Sequence, residues 1–303
     1  MRIAAAPLAL ALACALGCAS PGAARTGGTP SAGGATALTF AWPDGFGARV
    51  RFEHREQRSG SPPATARGTH RLATERAGQV LRVSVRDAEA EGDVPDLEVN
   101  LRVAEALVQV VGRDGSYLRT ERVREAVELL GAEDEEAREV SRRALERIAA
   151  LDWELTAGAW AGRTPTPGRV EAREYAGSLP LLPGVEARIE VEQTLVGPAP
   201  CVAGEAPPQC VELAWRGAPD RSSRAAAVAR LRGEAGEGGS GVVLQDLDGS
   251  LEARLVAEPG TLVPHRLIVR EELRLTVRQP GGDALENVER TEDRYEFAPE
   301  MEL

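Results

Sequence analysis

The chain has 303 residues, with 47 acidic and 36 basic side chains, a net charge of −11, 43% apolar content and 4% aromatics. An acidic chain repels phosphate backbones, which argues against nucleic-acid partners, and its charge does not draw it to anionic lipid. The apolar and charged fractions suit a folded domain with a core built on Val, Leu and Ala.

There is no Lys, so every basic residue except His is Arg. We read this as base composition of the gene rather than as function.

Residues 1–17 form the most specific stretch. Arg2 precedes an apolar run from Ile3 to Leu16, followed by Gly17 and Cys18. At 14 residues the run is too short to cross a bilayer core of about 30 Å as a helix and fits the apolar part of a cleaved signal peptide. Ala15-Leu16-Gly17-Cys18 resembles the bacterial lipobox, with Ala in the first position where Leu is commoner. That resemblance implies cleavage before Cys18 and acylation of its sulfur and amine. Cys14 carries the same pattern four residues earlier, but Cys18 leaves the longer apolar run and is followed at once by linker-like sequence. The alternative is an ordinary secretory signal cut near Ala19. Residues 18–37 are rich in Gly, Ala, Ser, Pro and Thr and read as a flexible tether, with a reach of roughly 25 Å.

The folded part begins at Leu38, and Trp42-Pro43-Asp44-Gly45 reads as a turn. Val50, Phe52 and His54 alternate with charged residues, as in a half-buried strand. Residues 57–68 read as a loop. Leu81 to Val85 and Leu97 to Val103 alternate as two further strands. Gly112 to Gly115 reads as the turn of a hairpin. Val123, Val127 and Leu130 then give a short helix ending at Gly131. Ala137, Val140, Ala144, Ile148 and Leu151 give a long one, with acids in its first turn.

Strands return at Val170, at Val185 to Val191 and at Val211 to Trp215. Asp220 caps a helix through Val228 and Leu231 that stops at Gly233. Val242 to Gln245 and Leu251 to Val256 flank Asp248-Gly249, a second hairpin signal. Leu267 to Val277 and Val288 to Phe297 complete the set. The expected fold class is α+β. About ten strands form a strongly curved antiparallel sheet, a half-barrel or open barrel, with one long and one or two short helices packed on it. A closed barrel is the next choice and a sandwich the third. Residues 38–303 form one domain, with a plan that divides into similar halves at 38–165 and 166–303.

Candidate chemistry is sparse. Cys201 and Cys210, in an exported chain, read as a disulfide pinning a loop, with no His near them in sequence. His54, His70 and His265 have no ligand spacing and read as strand-surface residues rather than a metal site. Gly236 to Gly241 matches a dinucleotide fingerprint, but a helix precedes it and a strand follows, the wrong order. Ser240 lacks the second Gly of a nucleophile elbow. Asp246 and Asp248 resemble the start of a calcium loop whose later ligands are missing. Acidic pairs such as Glu271-Glu272 read as solvated faces. Trp42, Trp153, Trp160 and Trp215 either line an apolar pocket or fill the core between sheet and helices.

The lipobox, tether and strand-rich domain resemble bacterial envelope lipoproteins. The element order is similar to the half-barrel carriers of the Lol and LppX types, which hold acyl chains between a curved sheet and helices. No binding residue is matched to those families. The resemblance implies a lipid-anchored protein of the bacterial envelope, at the outer membrane. The expected function is non-enzymatic, with an apolar molecule or lipid bound in the curved sheet and no cofactor. The alternative is a structural or protein-interaction module with a filled core and a protein partner in the envelope.

Overall fold

The computed structural model describes residues 34–132, 134–177, 187–202, 209–234, 243–278 and 282–300. The signal segment with Cys14 and Cys18, the tether up to residue 33, Val185 and the Gly236–Gly241 pattern lie outside these residues.

Among the described residues, eleven strands form one antiparallel sheet. They are β1 (Gly47–Arg58), β2 (Ala64–Ala77), β3 (Val80–Gly92), β4 (Val108–Gly112), β5 (Tyr117–Glu121), β6 (Val170–Gly177), β7 (Ala187–Ala199), β8 (Cys210–Pro219), β9 (Val243–Ala257), β10 (Pro264–Arg278) and β11 (Ala284–Glu300). Their spatial order is β5-β4-β3-β2-β1-β11-β10-β9-β8-β7-β6. Each half of the chain thus meanders on one side, and β1 pairs with β11 to join them. The helices are α1 (Leu97–Ala106), α2 (Val123–Leu129), α3 (Glu135–Trp153), which runs into a π-helical turn at Glu154–Gly158, and α4 (Arg221–Glu234).

The sheet is open but strongly curled. Laid flat, eleven strands at about 4.8 Å spacing would be roughly 48 Å wide. Yet two consecutive residues at the end of α3 reach both edges. Trp153 Nε1 donates to the Gly115 carbonyl beside β5 at 2.7 Å, and Glu154 accepts a hydrogen bond from Tyr175 of β6. The strands β5 and β6 stay at opposite ends of the strand order and do not pair with each other. The helix end closes the gap in their place.

Strand alternation decides which face is inside. In β1, Val50, Phe52, His54 and Glu56 are buried, and Arg49, Arg51, Glu53 and Arg55 are exposed. The inner faces of all the long strands meet one core that includes Phe40, Trp42, Phe46, Trp153, Trp160 and Trp215. α1 lies between two apolar layers: Leu101 and Ala104 face this core, and Val103 and Ala106 pack with α2 and α3. α4 covers the inner face near Leu247 and Leu273.

Three expectations are corrected. Leu97 to Val103 is helical, because Leu97, Leu101 and Ala104 fall at helical spacing while Leu97 and Leu101 also fit the two-residue alternation. Asp248-Gly249 is the middle of β9. Its neighbour β10 supplies ladder partners on both sides, pairing Arg274 with Asp248 and Leu273 with Gly249, so the inward row Leu247, Leu251, Ala253 and Leu255 continues through the Asp-Gly step. Residues 57–68 are not one loop, since β1 runs to Arg58 and β2 starts at Ala64. β2 lacked a sequence signal because its inward residues include Ala66 and His70. Gly68 is required there, as a Cβ would lie 2.8 Å from the Phe52 ring and 2.2 Å from the Glu89 carbonyl.

Asp220 caps its helix as expected, and the long helix has Glu135 and Glu136 in its first turn, with Asp134 as its cap. Ala137 N–H donates to Asp134 at 2.7 Å to open α3, and Ser223 N–H donates to Asp220 at 2.6 Å to open α4.

Candidate functional site

The concave face of the sheet is the candidate site, and its two ends differ. One end is where the chain enters the fold. Thr36 N–H donates to the Pro165 carbonyl, Leu38 N–H to Arg163, and Thr39 N–H to Pro259. We call this the tether end. Here Phe40, Trp42, Phe46 and Trp153 form a packed aromatic cluster with neighbouring centroids 5.1 to 5.5 Å apart. Trp42 Nε1 donates to the Leu262 carbonyl at 3.3 Å. Trp160 is buried near them, and Trp215 stacks edge-on with Tyr175 at 6.5 Å. All four tryptophans are at most 3% exposed. They are packed against side chains of the chain itself.

Farther along β1, β11 and β10 the same inner face turns polar. His54 lies opposite Asp293, and Glu56 lies opposite Thr291. Val269 and Glu271 of β10 extend the two rows. His54 Nδ1 and Asp293 Oδ1 are 2.7 Å apart, with both side chains almost wholly buried. Glu56 pairs with Arg58, which also reaches Glu289 at 3.2 Å. His54 Nε2, Glu56 Oε2 and Thr291 Oγ1 are buried with no protein hydrogen bond.

Burial pulls the His54 pKa down, but the Asp293 carboxylate opposes it more strongly with help from Glu56, and the net shift is upward. Asp152, at the end of α3, is fully buried and accepts from Gln109 Nε2 at 3.1 Å. Burial holds its carboxyl well above the ordinary carboxylate range, and the charge of Asp293 adds to this. Burial also raises Glu154 against the opposing hydrogen bond from Tyr175. The helical cover therefore meets the sheet through a seam of buried polar groups around Asp152, Trp153 and Glu154.

These placements correct two readings. His54 and His70 are inward and buried, at 1% and 2% exposure, not on a strand surface. Glu271 is buried too, while Glu272 faces outward between Arg274 and Arg290. Sequence reasoning missed the polar patch because inward His54 and Glu56 alternate with equally polar outward residues. The available signal was phase, since both continue the Val50-Phe52 register.

Cys201 and Cys210 form a disulfide with Cα atoms 5.1 Å apart, joining the end of β7 to the start of β8. His265, distant in sequence, brings its ring within 4.8 Å of both sulfurs and sits 3.5 Å from Glu258. The disulfide occupies both sulfurs, so they are not metal ligands in this state.

A cavity of about 430 Å³ lies elsewhere, across β1, β2 and β3. Its walls are two outward rows, Glu53, Arg67 and Glu91 on one side and Arg55 and Thr65 on the other. Its floor is the backbone of His54, Ala66 and Gly92. It is a charged groove on the convex face, and the tryptophans take no part in it.

No family model matches the chain, and no curated protein matches it. Among solved structures, the chain is similar to lipovitellin, in a structure concerned with that protein's lipid–protein interactions. The TM-score is 0.46 at 8% identity, over 87% of this chain and 26% of that one. The chain thus spans about a quarter of the length of lipovitellin.

Proposed function

We propose that the chain is a non-enzymatic, lipid-anchored protein of the bacterial envelope. In this reading its curled sheet takes up an apolar ligand, an acyl chain by preference, among the aromatic side chains of its concave face. The observation that carries it is the closure of the sheet. The edges β5 and β6 are bridged by side chains at the end of α3 rather than by a strand ladder. Parting this seam breaks the hydrogen bonds of Trp153 and Glu154 and loosens the packing of the Trp153 ring on Phe40 and Trp42, and it leaves every strand pair intact. Elements held in this way open at lower free energy than a sheet.

The His54–Asp293 pair has the residue types of an acid–base dyad, but it is sealed from solvent. Its role in this reading is structural. The export signal, the lipobox cysteine and the disulfide agree with an envelope address. The test is titration with a fluorescent polyene fatty acid, read by energy transfer from the tryptophans. Saturable transfer at one probe per chain is expected. No transfer at any probe concentration overturns acyl binding.

The packing of all four tryptophans at 3% exposure or less favours a second reading, an interaction module with a permanently filled core. It predicts no uptake of the probe and a crosslinked protein partner in the envelope.

A further inference from the structure

Six large apolar side chains are about half exposed among the described residues: Leu118, Val170, Val196, Val202, Val243 and Leu285. Four of them gather at the tether end. Leu118 is near the start of β5, just after the Gly112–Ser116 turn, and Val170 opens β6. Val196 lies near the end of β7, at the register shift between Leu195 and Gly197, and Val202 follows the disulfide cysteine Cys201. The backbone bonds of Thr36 and Leu38 to Pro165 and Arg163 place the entry of the chain at this same rim. Val243 and Leu285 are at the opposite end, where β9 and β11 begin.

We infer that the tether end is a membrane-apposed surface, with Leu118, Val170, Val196 and Val202 resting on the lipid in which Cys18 is anchored. This inference rests on the lipid-anchored reading above. Chain length supports it. Fifteen residues lie between Cys18 and Gly34, so whatever their conformation the rim stays within about 55 Å of the anchor. The domain can therefore reach the surface, and of its two ends the one where the chain enters carries four of the six exposed aliphatic side chains found among the described residues. Scattered single apolar residues are normal on a protein surface; their concentration at the end tied to the anchor is what selects this face. The net charge of −11 disfavours adhesion to anionic headgroups, so the contact is apolar and suits zwitterionic lipid.

The experiment uses the full chain, labelled with palmitate in cells and reconstituted in phosphatidylcholine vesicles. Hydrogen exchange is compared with that of the Cys18→Ala chain in solution. In the labelled chain, amides of 117–121, 168–172 and 195–202 are expected to exchange about tenfold more slowly on vesicles, with 243–247 and 284–288 unchanged. A Val170→Glu/Val196→Glu/Val202→Glu chain, still labelled, is expected to lose that protection. Labelled protein with no protection at the tether end, or with equal protection at both ends, overturns the surface and leaves the anchor standing. Absence of label in the wild-type chain overturns the anchor and the surface with it.

Discussion

At the tether end of the curled sheet, aromatic rings pack face to edge, and the indole N–H groups of Trp42 and Trp153 each find a backbone carbonyl. A few residues farther along the same strands, the interior holds His54, Asp293, Glu56, Thr291 and Glu271. Both ends are buried, yet burial means different things in the two. Apolar surface removed from water stabilises the first at roughly 25 cal/mol per Å². In the second, desolvation opposes the Coulombic gain, so an intact buried pair adds little net stability while its disruption is costly. The polar end, together with the Asp152 seam, is where this fold gives up stability.

The largest effect is expected from Trp153→Ala, which empties the centre of the aromatic cluster and removes the bond to Gly115. Thermal or denaturant unfolding is expected to show a loss of about 4 kcal/mol. Asp293→Ala leaves the His54 ring buried without its partner and is expected to cost about 3 kcal/mol by the same measurement. The double change His54→Leu/Asp293→Leu, by contrast, is expected to recover most of that loss, since an apolar pair replaces a desolvated one. Recovery at the polar end and none at the aromatic end is the signature of the difference. Opening the disulfide with Cys201→Ser/Cys210→Ser closes no loop in the unfolded chain and is expected to cost about 2–3 kcal/mol.

The smallest effect is a pH dependence. A histidine whose pKa is raised in the fold contributes stability that is complete below its ordinary value of 6.5 and is lost as pH rises through the folded value. A carboxyl raised by burial, as Asp152 is, acts in the same direction, since the folded chain prefers it protonated. Stability is thus expected to fall as pH rises above the ordinary histidine value of 6.5, with a shallower fall in His54→Gln.

Much of the aromatic end was legible in the sequence, and little of the polar end was. Val50-Phe52 and the long stripe of α3 each carried a local signal that matched the final packing, as did the cap at Asp220 toward the opposite end. The cysteine pair did too. Ala66, Gly68 and His70 carried none, because β2 is defined by the strands on either side of it. Leu97 to Val103 carried two compatible signals, and packing against α2 and α3 selected the helical one. The meeting of His54 with Asp293, 239 residues apart, depends on the pairing of the first strand with the last. No local pattern encodes that pairing, and none encodes the approach of His265 to the disulfide, which follows from the β8-β9-β10 order in which Val211 and Pro264 both pair with Ala257.

The account stands most directly on whether the curled sheet carries lipid. Native mass spectrometry of the chain extracted from envelope membranes measures this in one step. The account predicts a population heavier by the mass of one non-covalent lipid, beyond the covalent acyl chains, that is stripped by mild activation. A single species bearing only the covalent chains, with no uptake when acyl lipid is added back, would contradict it.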